Sequence, residues 1–217
     1  MAGAEGLGEM RPGWMLRRRP HPAHGGRSGR LGRERGAVLV EAALIVPLVI
    51  FLTFGAIEFG FAFNEQGTTR SATRTAARAA STQPRAAAAD FERAAIDTLD
   101  ASARNLANGV PVFALVYEFT GTEITSESAC TAVPNCAVYE WDTSASPARF
   151  VRNGGDDWLP SERDACAGAT DRLGVFLAVD HRWLTGLPFN LSGGVRITSN
   201  TVMALEPVPG AGCAAEV

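Results

Sequence analysis

The stretch RERGAVLVEAALIVPLVIFLTFGAIEFGFAF, residues 33–63, decides how the chain is built. From Ala37 to Phe63 the only clearly polar residues are Glu41, Thr53 and Glu58. A helix of this length, at 1.5 Å per residue, runs about 40 Å against a hydrocarbon core of roughly 30 Å, so one tilted membrane span accommodates it. A cleaved secretory signal is the alternative. Such a signal has an apolar region of about 7–15 residues followed by a small-x-small cleavage site. This run is longer, and the FGFAFNEQG that closes it offers no good site. Pro47 removes one helix hydrogen bond and adds a mild kink, which spanning helices tolerate.

Charge is distributed around this run as in a membrane protein. Residues 1–36 hold eight Arg and three acids, a balance of +5, whereas residues 64–217 hold twelve Arg and eighteen acids, a balance of −6. Seven Arg lie close before the run (17, 18, 19, 27, 30, 33 and 35) and four close after it (70, 74, 78 and 85). The excess places the N-terminus in the cytoplasm and the body outside the cytoplasmic membrane. All twenty basic residues are Arg, which with the abundant Ala and Gly suggests a GC-rich bacterial source.

The head contains RRRPHPAHGGRSGRLGRER, rich in Gly, Pro, Arg and Ser with no apolar period. It reads as disordered over residues 1–36, and Met10 and Met15 are alternative starts. Nucleic-acid binding through phosphate neutralisation is the competing reading of so many Arg. The head lacks interleaved aromatics and a helical pattern, and a span follows at once, so no nucleic-acid partner is expected.

Beyond the span, NEQGTTRSATRTAARAASTQ (64–83) places Arg70, Arg74 and Arg78 on one helical face and Ala72, Ala76 and Ala80 on another. The small face suits either close approach of a partner helix or packing on the chain's own body. Residues 85–108 form a second helix with Phe91, Ala95, Leu99 and Leu106 on an apolar stripe, Pro84 near its start and Gly109 past its end. From there the pattern turns to strand. VPVFALVYEF (110–119) is apolar on both faces, AVYEW (137–141) and ARFVRN (148–153) are shorter, and DRLGVFLAVDHRW (171–183) and GGVRITSNTVMALEP (193–207) are longer. A short helix is expected from Ser161 as N-cap. The fold class is α+β: a spanning helix (37–63), a helical stalk and packed helix (64–108), and an extracytoplasmic antiparallel sheet domain (109–217).

The four cysteines, Cys130, Cys136, Cys166 and Cys213, all follow the span, which fits disulfides in an oxidising compartment. Three pairings are possible, of which Cys130–Cys136 would close a short loop and leave Cys166–Cys213; partly buried free thiols are the alternative. No Cys-x-x-Cys pair exists and His181 is the only histidine on this side, so no metal is expected. Catalysis has little to stand on. The VDHRW segment brings Asp180 and His181 together in sequence, but strand alternation puts them on opposite faces. Gly-x-Ser-x-Gly, phosphate-loop and His-Glu-x-x-His motifs are all missing. No enzyme activity, cofactor or small-molecule substrate is expected.

Glu41 is the anomaly. It is tolerated near an interface by snorkelling or protonation, or it lines an ion path, which a single span with two acids does not support. A third reading has the chain cut after Gly36. Ala37 then carries a free ammonium, and Glu41 neutralises it on its own or a neighbouring helix, turning two costly charges into one pair. Glu58, near the outer end of the span, reads as interfacial, with an Arg of a neighbouring subunit as a possible partner.

Arg35-Gly36 followed by AVLVE resembles the processing site of type IV prepilins and pseudopilins. More closely, RGAVLVEAALIVPLVIFLTFGAIEFG and TTRSATRTAARAAS resemble the TadE-like family of the tight-adherence (Tad/Flp) pilus system. The likeness rests on Gly36, Glu41, Ala42, Pro47, Gly55, Glu58 and the Ala/Arg helix ending near Ala80, and covers residues 35–81. The closing ITSNTVMALEP is also similar to how such domains end. The resemblance implies a pilin-like layout and a pseudopilin or minor pilin role in assembling a pilus or related secretion apparatus. It further implies a prepilin-type peptidase acting at Gly36, Ala37 and Glu41. Pilin or other Tad-type proteins would contact Pro47, Gly55, Glu58, Arg70, Arg74 and Arg78. The alternative is a membrane-anchored binding or sensory module with no part in a pilus.

Overall fold

The computed structural model describes residues 28–168, 170–184 and 194–208, with side chains from residue 36 onward. The chain divides into two compact units, Met1–Val46 and Pro47–Val217. In the first, the described residues are helical, and Val38, Leu39, Val40 and Leu44 are exposed. They belong to helix α1 (Ser28–Ser81), which starts earlier than the sequence suggested. Residues 28–36 are therefore helical, not disordered. Pro47 lies inside α1 without ending it.

The second unit is an α+β body. Helix α2 (Ala88–Ala103) follows α1, then strand β1 (Gly109–Glu118), the single-turn helix α3 (Glu127–Cys130), β2 (Cys136–Asp142), β3 (Arg149–Gly155), β4 (Arg172–His181) and β5 (Val195–Ala204). The five strands form one sheet in the order β3-β2-β1-β4-β5, every neighbour antiparallel. The central strands are buried on both faces, which is why their sequences lack alternation. On one face Ala114, Val116, Leu173, Val175, Leu177 and Val179 pack with Ala72, Ala76, Ala77 and Ala80 of α1 and Phe91, Ala95 and Leu99 of α2. On the other, Phe113, Leu115, Tyr117, Phe176 and Ala178 lie with Cys130, Cys136 and Val138, and Val112, Phe119 and Ile124 pack against them. Gly174 is needed here, because a Cβ on it would lie 2.2 Å from the Tyr117 ring, which crosses β4 at this point.

The disulfide Cys130–Cys136 is formed. Cys166 is also disulfide-bonded, and its expected partner Cys213 lies outside the described residues. The helix expected from Ser161 is not formed. Arg163 turns inward to main-chain carbonyls instead, and Asp164 and Asp171 bond each other's backbone. The small helix lies at α3, where the Ser126 hydroxyl accepts the Ala129 N–H. Helix α2 is shorter than expected because its end tightens into turns, Asn105 N–H to Ser102 O and Leu106 N–H to Ala103 O.

Two carboxylates are buried under α2. Glu92 accepts from the Tyr139 hydroxyl and from Arg152 at 2.9 Å, and Asp100 accepts the Phe150 N–H at 2.7 Å. Burial nevertheless raises both pKa values above the ordinary 4.5 and 3.8, outweighing the hydrogen bonds and Arg charges that pull them down. The folded state thus holds these protons more tightly than the unfolded chain does. Stability from the pair falls as pH rises from the ordinary carboxyl values through the raised ones, and returns on acidification. Asp180, lowered by Arg196, works the other way, and its contribution is lost as pH falls below 3.8. Glu92→Gln is expected to flatten the rise in Tm on mild acidification of the detergent-solubilised protein. An unchanged slope would show that Glu92 ionises in the fold without penalty.

Candidate functional site

Helix α1 carries a polar ladder on the face that meets the sheet. Glu58, Glu65, Thr69 and Thr73 are all buried, at spacings of seven, four and four that keep them on one side of the helix. Thr73 meets the hydroxyls of Ser199 (3.0 Å) and Thr201 (2.9 Å) on β5. Each hydroxyl has a partner in place of water, so the helix is fixed in rotation and register against the sheet.

The strongest element is Glu65, 1% exposed. Its Oε1 accepts the Asn108 N–H at 2.7 Å and its Oε2 lies 2.8 Å from His181 Nδ1. Asn108 precedes β1 and His181 ends β4, and Gly109 pairs with His181 across the ladder. One carboxylate thereby ties the helix to two central strands at a single rung. Gly109 leaves the room for it, since a Cβ there would sit 2.7 Å from Val179 Cγ1 and 3.0 Å from Glu65 Oε2. Among the described residues His181 Nε2 is buried without a hydrogen-bond partner, and the Trp183 ring stands edge-on to the imidazole at 5.0 Å. This closed setting makes the pair a clamp rather than a base presented to a substrate. About two turns back toward the apolar run, Glu58 Oε2 accepts the Leu184 N–H at 3.1 Å.

The residues singled out in the sequence fall into separate places. Gly36, Ala37 and Glu41 are exposed on α1, and a Cβ at Gly36 or Gly55 would meet open space. Thr53 returns its hydroxyl to Val49 O at 2.8 Å, so this polar residue of the apolar run is satisfied within its own helix. Arg70, Arg74 and Arg78 are exposed, and the Ala72, Ala76 and Ala80 face packs on the chain's own body. Glu58, expected at an open interface, is instead 2% exposed and held by the Leu184 backbone. Asp180 pairs with Arg196 at 2.7 Å on the exposed side while His181 is buried, as alternation required. Glu65 and Asn108 were missed. The signal for Glu65 was its i+7 spacing from Glu58 on the face continued by Thr69, Thr73 and Ala76. Among the described residues no three His, Cys, Asp or Glu side chains gather as a metal site.

Helix α1 is the one helix among the described residues long and apolar enough to cross a membrane, and its most apolar stretch is entirely unburied. The chain is thus of the class that joins one candidate spanning helix to an α+β body. Its helix is TadE-like: the model of the family described as TadE-like protein matches residues 36–78, within the stretch 35–81 over which the likeness was read. That family is associated with the Tad/Flp pilus and is not a family of enzymes. No curated protein and no solved structure matches the chain.

Proposed function

We propose that the chain is a single-pass protein of the cytoplasmic membrane, its N-terminus cytoplasmic and its body outside. It assists assembly of a Flp/Tad-type pilus or related secretion apparatus in the manner of a pseudopilin or minor pilin. The observation that carries this reading is that the TadE-like match runs from the exposed apolar part of α1 into the part that seats the sheet. A single helix thus supplies both an apolar surface for lipid or neighbouring helices and the mount for the body. Exposed Arg70, Arg74 and Arg78 form a positive row for pilin or other Tad-type partners. A prepilin-type peptidase cuts between Gly36 and Ala37, and Glu41 then meets the new ammonium.

Intact-mass measurement of the protein extracted from its native membrane tests the processing step. The wild type is expected to begin at Ala37, and Glu41→Ala is expected to lose its place in the assembly. A wild type that keeps its leader would overturn the pseudopilin role of Glu41. Surface pili that survive deletion of the whole chain would overturn the assembly role and leave an anchored binding or sensory module.

A further inference from the structure

Where β4 ends, the chain does not turn away from α1. Arg182 donates its N–H to Asn108 O at 3.2 Å, and Trp183 meets Phe59 edge-to-face with ring centroids 6.1 Å apart. Leu184 then gives its N–H to Glu58. This short segment lies against the outer end of the apolar helix and surrounds it with further apolar surface. Phe59, Phe63 and Leu184 are each more than half exposed, Trp183 is partly so, and Arg182 is exposed beside them.

From this arrangement we infer that Arg182, Trp183 and Leu184, with Phe59 and Phe63, form a second membrane contact that rests in the headgroup–acyl boundary where α1 leaves the bilayer. The inference rests on α1 being the span. Continuity with the apolar run favours lipid as the occupant, because Phe59 and Phe63 are the last exposed aromatics of that run. Residue type favours it too. Tryptophan, with its apolar body and polar N–H, concentrates at this depth, and an adjacent Arg reaches lipid phosphate while its stem stays in the apolar layer. The segment also accounts for Glu58. A carboxylate at the outer end of a lipid-facing helix is costly, and here the Leu184 main chain covers it and supplies a hydrogen bond. The clamp of Glu65 on His181 and Asn108, a turn or two further along, holds the start of this segment in place.

The test places an environment-sensitive fluorophore on the full chain at Leu184→Cys, labelled without reductant so that the native disulfides remain. The protein is reconstituted into vesicles of phosphatidylcholine and phosphatidylglycerol carrying nitroxide lipids. Leu52→Cys, exposed in the middle of the run, and Thr82→Cys, exposed just past the end of α1, are the references. The Leu184 label is expected to be blue-shifted and quenched several-fold more than the Thr82 label by a nitroxide near the lipid carbonyl. The Leu52 label should respond most to a nitroxide deep in the chain. If Leu52 is quenched and Leu184 behaves like Thr82, this contact is refuted while the span stands. A Leu184 label that is blue-shifted but unquenched faces protein, which also refutes it. An unquenched Leu52 label would remove the span and this inference together.

Discussion

Arg163→Ala is expected to cost the body about 3–5 kcal/mol: two buried carbonyls and one partly buried lose their donor at about 1–3 kcal/mol each, and the losses at one shared side chain do not add in full. Arg163 is 3% exposed in a loop without regular structure. Its guanidinium donates to Trp158 O from Nε (3.0 Å) and Nη2 (2.5 Å), and from Nη1 to Pro84 O and Ala86 O, both at 2.9 Å. It also lies 4.0 Å over the Phe91 ring, which itself meets Trp158 edge-on at 5.7 Å. The two carbonyls from Pro84 and Ala86 belong to the turn between α1 and α2, where helix ends leave acceptors unpaired. One side chain therefore closes that turn, docks the loop before β4 and caps the aromatic core. Burial pushes its pKa down from the ordinary arginine value, against the pull of the Glu92 charge, yet a guanidinium set among carbonyl dipoles and a π face keeps its proton. Arg163→Lys is expected to recover only part of the loss, since an ammonium cannot reproduce the planar fork that reaches three carbonyls. Denaturant unfolding of the detergent-solubilised protein measures both. A loss in Arg163→Ala below about 1 kcal/mol would mean that water reaches these carbonyls and that the bracket contributes little.

That residue also shows where reading a sequence stops. Helix α2 announces itself through apolar period, whereas the long run of α1 and the strands β1 and β4 announce themselves as continuous apolar stretches, because they are apolar on every face. The small-sided face of Ala72, Ala76 and Ala80 was equally visible, but its partner was not. Small residues report close approach without saying to what, and the structure gives the face to the sheet. Ser161 was misread because Ser-Glu-Arg-Asp is good helix-start chemistry locally. The long-range demand of unpaired carbonyls at Pro84 and Ala86 draws Arg163 away from it, and no local pattern encodes that. The same holds for α3, four residues nucleated by one Ser126 cap beside a disulfide. His181 was judged correctly only in the negative, as no partner of Asp180. Its true partner Glu65 is 116 residues away, where only packing brings the two together.

Glu65 is the residue whose loss should be felt next most strongly. Glu65→Ala removes the acceptor from the Asn108 N–H and from His181 Nδ1 and leaves space where the carboxylate lay. One buried donor and one partly buried donor lose their partner at about 1–3 kcal/mol each, the second toward the lower figure, so a total of about 2–4 kcal/mol is expected. Glu65→Gln separates the two contacts. Its carbonyl can keep the Asn108 N–H, but its amide then faces Nδ1 with a donor. The imidazole must move its hydrogen to Nε2, an atom that already lacks a partner. An intermediate loss follows, smaller than for alanine. The double variant Glu65→Leu with His181→Phe replaces both sides by apolar groups and leaves only the Asn108 N–H unpaired. It is expected to be more stable than Glu65→Ala alone, because a buried pair is worth little against apolar replacements but costs much when half removed. Unfolding midpoints for the three variants in one detergent decide the matter. If the double variant is the least stable of the three, the pair contributes beyond its own desolvation and the clamp is stronger than described.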